Sequence, residues 1–144
     1  MRRVLVSSCL LGINSRYDGS EQVDENILEV KDSYCLIPVC PEQLGGLETP
    51  RPPCEISEGK VINKDGRDVT LEFKKGAEET LKIAKMFSCE YAILKERSPS
   101  CGYGKIYDGT FSSKLIEGNG ITADLLIKNG IKVIGESRIT DLKK

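Results

Sequence analysis

Three of the six cysteines in this 144-residue chain, Cys9, Cys40 and Cys101, stand at positions from which they could form one metal site. The chain contains no histidine, and histidine is the commonest metal ligand and general base near neutral pH. Any metal would therefore be held by sulfur, with a carboxylate or the substrate as a further ligand. Thiolates select soft metals. The sequence has no CxxC motif, so this prediction depends on where the fold places each thiol.

The other cysteines are predicted to have different roles. Cys35 lies inside a predicted strand and Cys89 lies between a predicted helix and strand. We expect both to be small core residues, because free cysteine is commonly buried. Cys54 follows a proline-rich segment, and whether it is a fourth ligand or a redox partner stays open. The simpler alternative for the first three cysteines is that they are buried thiols in tight turns.

Length and composition restrict the class of protein. The length suits one α/β domain, residues 1–144, that can fold without disulfides. The net charge of −1, from 21 basic and 22 acidic residues, indicates no basic patch for nucleic acid or an anionic membrane. The apolar runs are too short to cross a bilayer, and the N-terminus MRRVLVSSCLLG lacks the cleavage site of a signal peptide. We therefore expect a cytoplasmic protein that binds a small molecule.

Hydrophobic patterns predict alternating strands and helices. Short apolar runs predict buried strands at 3–8, 34–39, 91–95 and 131–135. Apolar residues at helical spacing predict helices over 21–31, 70–88 and 121–128. Ser20 is the expected N-cap of the first helix, and Thr70 is that of the second. The apolar face of the second helix is expected to comprise Leu71, Phe73, Ala77, Leu81, Ala84 and Met86.

Alternating strands and helices predict a parallel sheet with right-handed crossovers. The expected fold is a three-layer α/β sandwich with a four-stranded parallel sheet in the order 2-1-3-4, as in flavodoxin-like and Rossmann-like domains. The segment 40–59 holds four of the six prolines and is predicted to be one long functional loop. Asp65-Gly66 is a hairpin signal between two short apolar segments.

The predicted sheet brings the three cysteines together. Cys9 directly follows the first strand, Cys40 directly follows the second, and Cys101 lies six residues beyond the third. The carboxyl ends of parallel strands open on one edge of the sheet, and neighbouring strands are about 4.8 Å apart. Ligands bind outside this edge at the point where the strand order reverses. The sequence thus predicts a thiol site at the carboxyl edge of the sheet.

Four separated motifs carry a resemblance to a known family. They are SSCLLG followed by RYDG, then PVCPEQLGGLETPRPP, DGRDVT and LKERSPSCGYGKIYDGTF. In this order, and across nearly the whole chain, they resemble the DUF523 (YbbK-like) family, which is similar to the [4Fe-4S]-dependent thiouracil desulfidases. The chain departs from many relatives in two places. It has Asn14 and Ser15 where another cysteine is common, and Cys54 where a small residue is common.

The resemblance implies an enzyme with a cofactor. It implies a [4Fe-4S] cluster held by Cys9, Cys40 and Cys101, with one iron left open for the sulfur of a small thiolated compound such as thiouracil. Water would then attack the carbon, so the implied activity is a non-redox desulfidase, a hydrolase-type cleavage of a C–S bond. Two alternatives stay open. The chain could be a non-catalytic metal-cluster or sulfur-carrier module, or it could hold zinc.

The resemblance also implies catalytic residues. Without histidine, a carboxylate is the natural general base, and Glu42 lies two residues after Cys40. The resemblance points to Glu42 together with a serine of the SPSCG motif, Ser98 or Ser100. Each residue also has a structural alternative, because Glu42 could face solvent and either serine could stabilise the turn around Pro99.

Further candidates flank the same edge of the sheet. Arg16 or Arg97 could recognise the substrate, and Tyr103 or Tyr107 could stack on a base ring. A structural role is the simpler expectation for each of these side chains. The glycine pair at 45–46 would permit a tight backbone near the site, but it lacks the lysine and serine or threonine pattern of a phosphate-binding loop.

Overall fold

The computed structural model describes residues 1–142 of the chain. Its strands and α-helices are β1 Arg2–Ser7, α1 Glu25–Leu28, β2 Tyr34–Val39, α2 Pro41–Leu44, β3 Cys54–Ser57, β4 Lys60–Asn63, α3 Thr70–Met86, β5 Tyr91–Leu94, β6 Lys105–Tyr107, β7 Leu115–Glu117, α4 Ile121–Lys128 and β8 Lys132–Gly135. Short 3-10 helices lie at Ser8–Leu11, Glu29–Asp32 and Glu136–Asp141. Among residues 1–142, no helix combines the length and the apolar character needed to cross a membrane.

The central feature of the fold is a four-stranded sheet with the order β2-β1-β5-β8. All neighbouring strands in it are parallel, which confirms the predicted order 2-1-3-4. The buried residues Val4, Leu5 and Val6 of β1 and all four residues of β5 are apolar, as expected for strands that are covered on both faces. Pro38 lies in β2, where the edge position tolerates a residue without a backbone N–H.

Alternate residues of the sheet face two separate cores, because the pleat of a strand turns successive side chains to opposite faces. The core between the sheet and helices α3 and α4 includes Leu5, Ala84, Ala92, Leu94 and Leu126. The core between the sheet, α1 and the last 3-10 helix includes Val4, Val6, Ile27, Ile93 and Ile139. Helical segments therefore cover both faces, and the predicted three-layer α/β arrangement is confirmed.

Two antiparallel hairpins, β3–β4 and β6–β7, lie outside the parallel sheet. A third, smaller core joins the first hairpin to the start of α3 through Cys54, Val61, Val69 and Phe73.

The prediction that 40–59 is one long loop is wrong, because this segment contains both α2 and β3. Pro41 begins α2, because proline is well suited to the first turn of a helix. β3 forms because it pairs with the antiparallel strand β4.

The predicted hairpin turn is displaced along the chain. We expected Asp65-Gly66 to join two strands, but β3 and β4 are joined at Glu58-Gly59. Asp65-Gly66 does form a turn, in which the Gly66 N–H donates to the Asn63 carbonyl at 2.9 Å. This turn leads only to a single bridge between Ile62 and Asp68, because the chain beyond it enters α3.

The first predicted helix is shorter than expected. It begins at Glu25 rather than at residue 21, because Asp24 accepts hydrogen bonds from the first backbone N–H groups and is the N-cap. Ser20 is therefore not the cap. Val23, an apolar residue within the predicted range 21–31, lies outside α1 and is 41% exposed.

The long helix α3 differs from the prediction at both ends. Thr70 is its first residue rather than its N-cap, and the Thr70 N–H donates to Asp68 Oδ1 at 2.9 Å. Leu71 and Met86, which we placed on the apolar face, are 79% and 73% exposed. They lie in the first and last turns of the helix, whereas the buried residues lie between them.

The prediction that Cys35 is a core residue is wrong, because Cys35 is exposed. Its neighbours on the same face of β2, Ile37 and Val39, pack in the core beneath α3 and α4. Cys35 lies near the start of this edge strand, away from that core. Cys89 is buried in the same core, as predicted.

Candidate functional site

The carboxyl edge of the parallel sheet carries the three cysteines that were predicted to act as ligands. Cys9 lies in the 3-10 helix that directly follows β1, and Cys40 lies between β2 and α2. Cys101 follows β5 in a tight turn, where its N–H donates to Ser98 Oγ at 3.0 Å. All three thiols line one cavity of about 500 Å³. The tertiary structure therefore gathers them around a common space, as the strand order predicted.

Burial controls the acidity of these thiols. It raises the pKa of Cys9 to about 11 and that of Cys101 to about 12, and it also raises the pKa of Cys40. Negative charge on Cys40 further raises the pKa of both other thiols. The cations Lys95 at Cys9 and Arg51 at Cys40 oppose this effect. Without a metal the thiols are protonated near neutral pH, so metal binding must release their protons.

Polar groups contact two of the three sulfur atoms. Cys40 Sγ lies 3.7 Å from the carbonyl oxygen of Ser15 and 3.8 Å from Nη2 of Arg51. Cys101 Sγ lies 3.7 Å from the hydroxyl of Ser100. Within residues 1–142, no three cysteine or acidic side chains are close enough to hold a single metal ion. The thiols are thus distributed around a cavity rather than around one point.

Glu42 is one of three glutamates that line this cavity, together with Glu55 and Glu96. Its Oε1 accepts a hydrogen bond from Nε of Arg51 at 2.9 Å, and its Oε2 accepts one from the Ser100 hydroxyl at 2.9 Å. The side chains of Glu42 and Arg51 are only 13% and 6% exposed. Both carboxylate oxygens are therefore held in place, and Glu42 does not face bulk solvent.

The two serines of the SPSCG motif have different surroundings. Ser98 Oγ accepts hydrogen bonds from the N–H groups of Ser100 and Cys101 at 3.1 and 3.0 Å, so it stabilises the turn around Pro99. Ser100 Oγ donates to Glu42 and lies beside the Cys101 sulfur. Of the two serines, Ser100 is the one that connects the carboxylate with a thiol.

A close contact between two helices positions α2, and with it Cys40 and Glu42. A Cβ on Gly45, which follows α2, would lie 2.0 Å from the carbonyl oxygen of Glu72 in α3. A Cβ on Gly76 in α3 would lie 1.9 Å from the carbonyl oxygen of Pro41. Only glycine allows the two backbones to approach this closely. The tight backbone predicted at 45–46 therefore serves helix packing.

Cys54 lines the same cavity among different neighbours. Its thiol donates to the Pro52 carbonyl at 3.6 Å. Burial raises the pKa of Cys54 to about 12, and the nearby charges that act on it are those of Glu42, Arg51 and Glu72. Cys54 is therefore close to Glu42, and its role as a further ligand or a redox partner stays open.

The remaining candidates divide between the cavity and the surface. Arg16, Arg97 and Tyr107 line the cavity. Tyr103 is absent from the cavity wall and is 49% exposed. Phe111 also lines the cavity, which it reaches from the loop between β6 and β7, and it was not among the predicted site residues.

One cation beside the thiols, Arg51, was not predicted. It pairs with Glu42 at 2.9 Å. Lys95, which was expected to flank this edge of the sheet, pairs with Glu136 at 3.3 Å. The sequence does contain a signal for Arg51, because it is the one basic residue in the segment 40–59, which also contains four glutamates. A lone cation among carboxylates in a loop next to a candidate base predicts an ion pair.

The fold and the cavity define the class of protein: an α/β domain that gathers cysteines at the carboxyl edge of a parallel sheet. Residues 4–138 match the 2-thiouracil desulfurase family, and this chain belongs to that family. It is 46% identical over 149 residues to the uncharacterized protein YbbK of Bacillus subtilis (strain 168), and the match covers 96% of this chain and 99% of that protein.

A solved structure is similar over almost the whole length of the chain. It is that of the [4Fe-4S]-dependent thiouracil desulfidase TudS, with a TM-score of 0.93 and 40% sequence identity. The match covers 99% of this chain and 96% of that chain. These comparisons confirm the resemblance to the DUF523 family and the predicted fold. They support an enzyme with a thiouracil desulfurase function.

Proposed function

We propose that this protein is a non-redox desulfidase that replaces the sulfur of a small thiolated compound, such as thiouracil, with oxygen from water. The arrangement of three thiols, a buried carboxylate and a serine around one cavity supports this proposal. The reaction consumes water, converts C=S to C=O and releases hydrogen sulfide, so it needs no electron donor or acceptor. A cavity of about 500 Å³ is a suitable size for a small-molecule substrate.

The proposed cofactor is a [4Fe-4S] cluster, which Cys9, Cys40 and Cys101 would hold. The donor set fits, because these clusters are bound by thiolates and the chain offers thiols but no imidazole. A single zinc ion would need each sulfur at about 2.3 Å from one point, whereas a cluster distributes its ligands over separate irons. Bound there, the cluster supplies a soft Lewis acid that polarises the C=S bond of the substrate.

Glu42 is the proposed general base. It takes a proton from a water molecule as that water attacks the thiocarbonyl carbon. Arg51 and Ser100 hold its two oxygens at 2.9 Å each, so the carboxylate needs little reorganisation before it acts.

Ser100 is the proposed proton relay. Its hydroxyl lies 2.9 Å from Glu42 Oε2 and 3.7 Å from Cys101 Sγ. A proton accepted by Glu42 can therefore pass through this hydroxyl towards the departing sulfur. Tyr107 and Phe111 line the same cavity and would flank a planar ring through apolar and edge-to-face contacts.

Anaerobic reconstitution followed by an activity assay tests the function. Protein treated with iron and sulfide should take up about four irons per chain and turn brown. It should convert 2-thiouracil to uracil and sulfide in equal amounts without added reductant. Glu42→Gln should keep the iron and lose turnover by about 100-fold or more, because general-base catalysis contributes about 10²–10⁴.

Three results would contradict the proposal in different ways. Folded protein that takes up no iron would overturn the cofactor assignment, and zinc in protein purified without oxygen would favour a zinc site. Iron-loaded protein that converts no thiolated base would favour the cluster-carrier or sulfur-carrier alternative. Full activity of Glu42→Gln would remove Glu42 from the mechanism but leave the activity itself in place.

A further inference from the structure

Arg51 joins the carboxylate of the site to one of its thiols. Nε of Arg51 donates to Glu42 Oε1 at 2.9 Å, and Nη2 lies 3.8 Å from Cys40 Sγ. The side chain is 6% exposed, so these contacts are shielded from solvent. One rigid, planar guanidinium therefore lies between the two groups that the proposed reaction needs in a set relative position.

The guanidinium is itself anchored by the surrounding loops. Nη1 donates to Thr49 Oγ1 at 2.8 Å and to the Glu48 carbonyl at 3.2 Å. Nη2 donates to the Ser15 carbonyl at 2.9 Å, and the backbone N–H of Arg51 donates to the Tyr17 carbonyl at 2.6 Å. Because two separate segments hold it, the guanidinium cannot simply follow the carboxylate when the carboxylate moves.

We propose that Arg51 is a positioning residue that fixes the Glu42 carboxylate relative to the Cys40 sulfur. The inference rests on the proposed function, in which Glu42 is the base and Cys40 is a ligand. Contacts run without interruption from Cys40 through Arg51 and Glu42 to Ser100 and Cys101. The base is thereby tied to two of the three thiols.

The contact pattern indicates why arginine occupies this position. Its five N–H groups form a planar fork, whereas lysine presents a flexible point charge. Lysine could keep a positive charge near Glu42, but it could not hold Glu42, Ser15 and Thr49 at the same time. A displacement of about 1 Å in a catalytic group can lower the rate about 100-fold, so loss of the fork should affect kcat more than binding.

Steady-state kinetics of Arg51→Lys in the reconstituted enzyme test this inference. We expect wild-type iron content, a KM within about twofold of wild type and a kcat lowered about 100-fold. Arg67→Lys is the matched control, because Arg67 also pairs with a glutamate, Glu72, at 3.1 Å but is 70% exposed. The control should keep wild-type kcat and KM. A wild-type kcat for Arg51→Lys, or a loss of iron in proportion to activity, would overturn the inference.

A second measurement on metal-free protein separates this inference from the proposed function. Urea unfolding gives the free energy of unfolding of Arg51→Met, Glu42→Gln and the double variant. Because the two residues contact each other, the double variant should lose less free energy of unfolding than the two single variants lose together. Additive losses would overturn the inference, and Arg51→Lys replaces Arg51→Met in the cycle if the latter does not fold. If wild-type protein shows no desulfidase activity while the cycle shows coupling, the proposed function fails and the contact stands.

Discussion

The Ser100 hydroxyl donates to Glu42 Oε2 at 2.9 Å, although the two residues lie 58 positions apart in the chain. This contact joins the turn after β5 to helix α2 at the cavity. The motif alone does not show which of its two serines acts in catalysis, and this contact distinguishes them. Ser100 contacts the carboxylate, whereas Ser98 accepts hydrogen bonds from two backbone N–H groups. The proposed catalytic group therefore comprises Glu42 and Ser100, with Ser98 as a support for the turn.

Alanine substitutions should separate these two roles. Ser100→Ala removes the proposed proton relay, and we expect kcat to fall about 100-fold at unchanged iron content. Ser98→Ala removes the acceptor of two backbone N–H groups, so we expect a loss of about 1 kcal/mol in the free energy of unfolding. Steady-state kinetics and urea unfolding measure the two effects. A larger loss of kcat in Ser98→Ala than in Ser100→Ala would reverse the assignment.

Single replacements of the cysteines should divide them into two groups. Alanine at Cys9, Cys40 or Cys101 should prevent stable cluster binding, because each removes one of three proposed thiolate ligands. The exposed Cys35 is the matched control, and its replacement should leave the iron content unchanged. Iron analysis after anaerobic reconstitution measures both outcomes. Retention of the full iron content by any one of the first three variants would show that its thiol is not a ligand.

Cys54→Ala, measured in the same way, decides whether Cys54 is a further ligand. Cys40 acts electrostatically on both Cys9 and Cys101, whereas no thiol is among the groups that act on Cys54. Cys54 thus lies apart from the three proposed ligands, and we expect this variant to keep its iron. A lower iron content, or altered absorption of the loaded protein, would instead place Cys54 among the ligands.

Gly45→Ala should disturb the site through the packing of α2. The added Cβ would lie 2.0 Å from the Glu72 carbonyl oxygen, so α2 must move away from α3 and carry Glu42 with it. We expect a loss of about 1–3 kcal/mol in the free energy of unfolding, as for other overpacked contacts, together with a lower kcat. Gly66→Ala is the control, because Gly66 has a φ of +88° but no atom within 4 Å of an added Cβ. This control should lose stability without a loss of kcat.

The metal-free protein should lose stability as the pH rises above about 9. The pKa of Cys9 is raised from 9.0 to about 11 and that of Cys101 to about 12, chiefly by burial. Between pH 9 and these raised pKa values, the unfolded chain releases thiol protons that the folded chain keeps. The stabilisation is therefore fully present below pH 9 and is lost as the pH rises through 11 to 12.

Urea midpoints measured at several pH values test this dependence. The decline above pH 9 should be shallower in Cys101→Ala than in wild type, because that variant lacks one buried thiol. Replacement of the exposed Cys35 should leave the slope unchanged. Equal slopes for wild type and Cys101→Ala would contradict the burial of an undissociated thiol at this position.

Much of the fold could be predicted because the local hydrophobic patterns and the order of strands and helices indicate the same parallel sheet. The apolar runs at 34–39 and 91–95 became strands with nearly the predicted bounds. The run at 91–95 is a central strand covered on both faces, and in the edge strand Leu36, Ile37 and Val39 each pack against one of the two cores. The ends of α1 and α3 were less predictable. Ser20 and Asp24 are both suitable caps, and only the packing of Ile27 against the sheet favours Asp24.

The sequence by itself determined which residue types the site can offer. With no histidine and three cysteines after strands of one sheet, sulfur was the expected ligand and a carboxylate the expected base, and parallel connectivity brought the three cysteines to one edge of the sheet. Only the tertiary structure decided which partners surround them. Ser100 meets Glu42 from 58 positions away and Arg51 meets Ser15 from 36 positions away. Cys35 is exposed because the core beneath α3 and α4 does not extend to the start of β2. Such contacts depend on how helices pack on the sheet, and no local pattern of residues records that packing.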